Sequence, residues 1–160
     1  MRVGLAGCDP HGILATPLET LARDPDGDTD IDRIADLARD ESVIEVIVGL
    51  PRSLSGHEGA AAQAARAYAV RVACRVSPLE VRLVDERLST VTAHRSLREA
   101  GVGGRRRRPV VDQAAAVVIL QSALDAERAS GRPPGTLVVP EQVPDGPGPA
   151  RVTQEADTDE

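Results

Sequence analysis

The sequence contains no lysine, no phenylalanine and no tryptophan, and Tyr68 is its only aromatic residue. Its core must therefore be built from Val, Leu, Ile and Ala, and its fixed positive charge is carried by arginine, a bias expected of GC-rich coding. Cysteine is almost as scarce. Cys8 and Cys74 form no C-x-x-C, and His11, His57 and His94 lack the spacing of zinc ligands, so a disulfide framework and a zinc site are both excluded. Both thiols are read as reduced and the protein as cytoplasmic. No apolar run approaches the roughly 20 residues of a membrane span. Leu5-Ala6-Gly7-Cys8 matches a lipoprotein cleavage box, but too few apolar residues precede it to form an h-region of roughly 7 to 15.

With 160 residues the chain has room for one domain, and its net charge of −6 is unevenly placed. From Ala129 onward two arginines face six acids, whereas the body carries 17 arginines against 19 acids and is nearly neutral. Total charge therefore neither announces nor excludes a nucleic-acid partner, and the local placement of arginine has to decide. The expected organisation is a folded domain over residues 1–128 and a disordered acidic tail, rich in Pro and Gly, over 129–160.

Arg2 to Cys8 reads as a strand, and the Asp9-Pro10-His11-Gly12 turn leads into a second extended run from Ile13 to Leu21. Two antiparallel strands follow from this. Thr29 or Asp30 can cap a helix with Ile31, Ile34, Ala35, Leu37 and Ala38 on one face. Val43 to Gly49 is almost continuously β-branched, which predicts a central parallel strand covered on both sides. An alanine-rich helix from about His57 to Val76 then returns the chain to Val81–Val84, completing a right-handed βαβ unit. A further helix runs from after Thr90 to Ala100, and a basic loop, Gly103 to Arg108, precedes a last helix opened by Pro109 and running to about Arg128. Ala114 to Leu120 in that helix is apolar on every side and is expected to be buried.

The stretch Val81 to Thr90, VRLVDERLST, delivers Asp85 and Glu86 to the carboxyl end of a strand, where open α/β sheets hold their ligands. Asp112, in the first turn of the last helix, can converge on them if that helix lies on the sheet. Carboxylates gathered in this way suit Mg2+ or Mn2+, which take oxygen ligands and keep positions for phosphate oxygens and water. Successive strand side chains point to opposite faces, so Asp85 and Glu86 cannot both be ligands unless the strand ends between them. Glu86 is the expected ligand, with Asp85 orienting Arg87 or a water. Surface ion pairs and a helix-dipole role for Asp112 are the plain alternative. Arg105, Arg106, Arg107 and Arg108 form either a nucleic-acid-binding loop or a solvated one. Arg52, Ser53 and Ser55 precede a helix N-terminus, which favours phosphate, but no Gly-Lys-Ser/Thr follows and an ordinary strand-to-helix turn is the preferred reading.

The segments RVGLA, ILATPLETL, VIEVIVGLPRSLSG, VRLVDERLSTVTAHRSLREAG and VVDQAAAVVILQSAL occur in unbroken order over about Arg2 to Ala126. In these the chain resembles the YqgF/RuvX family of bacterial RNase H-like nucleases, described as pre-16S rRNA nucleases and as Holliday junction resolvases. The resemblance implies an α/β fold with an RNase H-like mixed sheet flanked by helices. It also implies a divalent-metal hydrolase (Mg2+ or Mn2+) acting on RNA or branched DNA, with ligands at Glu86 and Asp112 and with Asp85 close by. The family begins with a strand carrying Asp-x-Gly, whose aspartate is the central metal ligand, and this sequence opens on the strand after it. Asp9 is a poor substitute, lying at the far end of its strand. A site short of that ligand should bind metal weakly, and the sheet should expose an edge. A misplaced coded start is the expected explanation, with a truncated nucleic-acid-binding relic or a scaffolding domain as alternatives.

Overall fold

The computed structural model describes residues 1–53, 55–86 and 107–140. Arg2–Cys8 (β1) and Ala15–Ala22 (β2) pair antiparallel, from Arg2 opposite Ala22 to Cys8 opposite Ala15, with a register shift between Gly4 and Ala6. The second strand starts two residues later than its pattern suggests. The reason is Asp9, whose carboxylate accepts the backbone N–H groups of His11 (3.1 Å), Ile13 (2.8 Å) and Leu14 (2.7 Å) and so keeps Ile13 and Leu14 in the turn.

Helix α1 (Thr29–Asp40) is preceded by Asp28 in the left-handed region, with no side-chain cap. Neither Thr29 nor Asp30 caps it. The Asp24 carboxylate takes the Thr29 hydroxyl at 2.8 Å and the Gly27 N–H at 2.9 Å, which closes the loop on itself, while Asp30 is drawn into the core. There it meets Arg23, Tyr68 and the Asp24 N–H.

Strand β3 (Glu45–Leu50) crosses through helix α2 (Ala60–Val76) to the parallel strand β4 (Glu80–Asp85), with Leu50 opposite Asp85. The expected parallel βαβ unit is present. Its helix starts three residues later than expected, behind Gly59. Among the described residues β3 is nevertheless not central: it pairs with β4 alone, and Glu45 to Gly49 are half-buried. The middle position belongs to β4, because a further strand, β5 (Thr136–Leu137), pairs antiparallel on its other side.

That last strand corrects the reading of a tail disordered from residue 129. Val138 is buried and donates its N–H to the Val81 carbonyl at 2.8 Å, so a three-residue apolar run inside a Pro/Gly-rich stretch is enough to complete the sheet. Residues 141–160 lie outside the described residues.

The long helix α3 (Arg107–Ser130) begins two residues before Pro109, since a proline in the first turn forfeits no helical hydrogen bond. Arg107 and Arg108 therefore belong to the helix and not to a basic loop. It packs on β1 and β2 and touches β3 more lightly. Ala114 to Leu120 are half-buried instead of enclosed, and Ala123 is the buried residue among the described side chains of the helix. Gln121 anchors α3 to the hairpin, accepting the Ala15 N–H at 2.9 Å and donating to the Ile13 carbonyl at 3.0 Å. The main core joins Ile31, Leu50, Ala69, Val72, Val81 and Leu83 between the two shorter helices and the β3–β4–β5 sheet. No described helix is long and apolar enough to cross a membrane.

Candidate carboxylate site at the end of the parallel strands

Asp85 is the last residue of β4 and Glu86 is the first beyond it, so the strand does end between the two acids. The Glu86 N–H still reaches the Leu50 carbonyl at 3.2 Å, which fixes the exit of the chain over the end of β3. Both carboxylates are thereby delivered to one sheet edge. Gly49 makes room for the second. A Cβ there would lie 2.8 Å from Glu86 Oε2 and 2.8 Å from Ile119 Cδ1, so the absence of a side chain on β3 lets both the acid and α3 approach.

The electrostatics of the pair are those of a site that attracts cations. Burial pushes the Glu86 carboxyl above its ordinary range, and the neighbouring Asp85 charge pushes it the same way. Arg52, in the loop after β3, places Nη1 3.8 Å from Asp85 Oδ2. Sequence reasoning assigned Asp85 to Arg87 or a water. Arg52 is a neighbour of Asp85 beyond that expectation, and Arg87 lies outside the described residues.

Asp112 stands against the other half of the molecule. Its backbone abuts Gly4 on β1, and its Oδ2 is buried, accepts no hydrogen bond, and lies 3.4 Å from Arg2 Nε. The donor chemistry suits a hard divalent ion: Glu86 is crowded by like charge, and Asp112 has a buried oxygen with no hydrogen bond. Among the described residues, however, no three acidic, histidine or cysteine side chains gather where one ion could be held. Arg105 and Arg106 lie outside the described residues. The basic surface expected of Arg105–Arg108 thus has no described geometry beyond the helical backbone of its last two residues.

Sequence reasoning passed over Glu58, which precedes the N-terminus of α2. Its Oε1 accepts Arg52 Nη2 at 2.8 Å and Arg66 Nη2 at 2.6 Å, and its Oε2 accepts Arg66 Nε at 2.9 Å. Its local sequence carries no signal, because the two arginines stand six residues before it and eight after it. Hydrogen bonds from Arg66, then from Arg52, hold its carboxyl down at about 2. Because the folded value is depressed, its contribution to stability is fully present above the ordinary glutamate value of about 4.5 and is lost as pH falls toward 2. The stability deficit of Glu58→Gln against the native chain is expected to shrink over that window, and paired urea titrations at several acid pH values check it.

Helices flanking a mixed sheet, with adjoining carboxylates at the end of its parallel strands, place the chain in the α/β RNase H-like class. The family model described as "RuvX: Holliday junction resolvase" matches residues 1–126, and the chain belongs to that family. Curated relatives are similar over most of their own length. The chain is 56% identical over 139 residues to a Nocardioides protein, covering 86% of this chain and 89% of the relative. It is 56% identical over 144 residues to one from Thermobifida fusca, with the same coverages, and 53% identical over 137 residues to one from Clavibacter michiganensis, covering 86% and 84%. All three carry the name "Putative pre-16S rRNA nuclease".

Proposed function

We propose that this protein is a divalent-metal-dependent nuclease that hydrolyses phosphodiester bonds at the 5′ end of pre-16S rRNA during ribosome biogenesis in the cytoplasm. The observation that carries the reading is 53% to 56% identity, over more than four-fifths of each chain, to relatives bearing that name. The acids at the carboxyl end of β4 support it, because a phosphodiesterase needs concentrated negative charge to hold cations against an anionic substrate.

Glu86 and Asp112 are the residues that would hold Mg2+ or Mn2+, with Asp85 beside Glu86. When bound, such an ion lowers the pKa of attacking water and offsets charge on the leaving oxygen. The protein's own part is separate from this. Arg52 offers a guanidinium next to Asp85, suited to a phosphate oxygen of the bound strand. Arg87 and Arg105 to Arg108 extend basic charge along the chain for the same backbone, with binding that weakens steeply in salt.

The family model's own description favours a second reading, resolution of four-way DNA junctions. The two are separated by incubating the purified chain with Mn2+ and either a 5′-extended 16S precursor or a synthetic four-way junction. Faster cleavage of the precursor is the expected result. Exclusive cleavage of the junction would transfer the assignment to DNA.

A further inference from the structure

One chain of charge runs from helix α2 to the carboxylate site. Arg66, on the second turn of α2, grips Glu58 through two nitrogens, the fork geometry that fixes a carboxylate most firmly. Glu58 in turn takes Nη2 of Arg52, a residue on a strand-to-helix loop with no helix or strand of its own to hold it. The remaining face of Arg52 is differently occupied. Its Nη1 is 3.8 Å from Asp85, close enough for charge attraction but beyond hydrogen-bond length, and its Nε is buried without a hydrogen-bond acceptor.

With Nη2 taken by Glu58 and Nε buried, Nη1, which makes no hydrogen bond among the described residues, is the position that can receive an acceptor. Among the described residues its firm restraint is Glu58, since the Asp85 contact is loose. Glu58 is 29% exposed and Arg52 31%, so the pair is partly shielded, and such charge-assisted bonds hold better there than at the open surface.

We propose that Glu58 is a positioning residue for the carboxylate site: braced by Arg66, it holds Arg52 beside Asp85 so that the guanidinium can take a phosphate oxygen of the bound strand. This rests on the nuclease reading for its substrate and for Arg52, and adds Glu58 and Arg66, which that reading does not use. Glu58 touches neither the acids nor the phosphate. It acts through Arg52 alone.

The test compares the full-length native chain with Glu58→Ala, Glu58→Gln, Arg52→Ala and the Glu58→Ala/Arg52→Ala double variant. Each is assayed for thermal midpoint, for kcat and KM on a single-stranded ribo-oligonucleotide with Mn2+, and for binding of the same strand across a salt series without added metal. Glu58→Ala is expected to weaken binding and raise KM about tenfold, the worth of one charge-assisted hydrogen bond. Its binding should also lose about 0.7 from the slope of log K against log salt, one phosphate contact, as should that of Arg52→Ala. The double variant should be no worse than Arg52→Ala alone, and Glu58→Gln, which keeps an oxygen for Arg52, should recover part of the loss.

A purely structural Glu58 would lower the thermal midpoint while leaving KM, kcat and the salt slope of the folded protein unchanged, and that result overturns the proposal. Additive losses in the double variant overturn it too. If the native chain binds the strand with this pattern but never cleaves it, the positioning role stands and the nuclease reading falls. If it cleaves and Glu58→Ala matches it in every readout, the reverse holds. A native chain that neither binds nor cleaves overturns both.

Discussion

Asp30→Ala is expected to destabilise the fold by about 3 to 5 kcal/mol, the usual cost of removing one partner from a buried ion pair. The Asp30 side chain is wholly buried and satisfied on every side: Arg23 Nη1 lies 3.3 and 3.2 Å from its two oxygens, the Tyr68 hydroxyl donates at 2.9 Å, and the Asp24 N–H donates at 3.2 Å. Arg23 also lies over the Tyr68 ring, 4.3 Å from its centroid. Truncation takes the shared acceptor from a hydroxyl and an N–H and leaves the guanidinium with the Asp24 carbonyl, at the point where β2, α1 and α2 meet. Set against a total of about 5 to 15 kcal/mol for a domain, this is a large share. Urea unfolding measures it as a fall in midpoint at unchanged slope. A loss under about 1 kcal/mol would show that water satisfies the three groups and that the cluster is not a clamp.

Gly4→Ala is expected to cost about 3 kcal/mol, the upper end for overpacking, because what it meets is main chain. A Cβ at Gly4 would overlap the Asp112 carbonyl and come within 2.7 Å of the Gln113 nitrogen. No side-chain rotation relieves that. The helix must back away from β1, and Asp112 moves with it, so the variant should lose activity as well as stability. Loss of stability with full activity would place Asp112 outside the site.

The parallel pair and its crossover helix were legible because the β-branched run, the small-residue helix and the alternating strand each carry their own period. The placement of β3 was not. Continuous apolar character says that a strand can be covered on both sides, but not that another strand pairs with its second edge. β5 was hidden for a related reason, since two paired residues amid prolines and glycines show no periodicity. The early start of α3 follows from a rule that fixes where proline is tolerated without fixing where the helix begins. In the site, Asp85 and Glu86 were readable from their position at a strand end. Glu58 was not, because its role depends on two arginines brought round by the turn into α2, and Gly49 was not, because a glycine that makes room looks like any other.

The nuclease reading requires that the acids at the end of β4 and Asp112 of α3 act in one hydrolytic site. The direct measurement is the rate of ion-dependent cleavage of a labelled 16S precursor by the native chain and by the Glu86→Gln/Asp112→Asn double variant, each first shown to be folded. Cleavage that requires added Mg2+ or Mn2+ and falls at least about a hundredfold in the double variant is the expected result. Equal rates in the two proteins, or equal rates with a chelator in place of the ion, would contradict it.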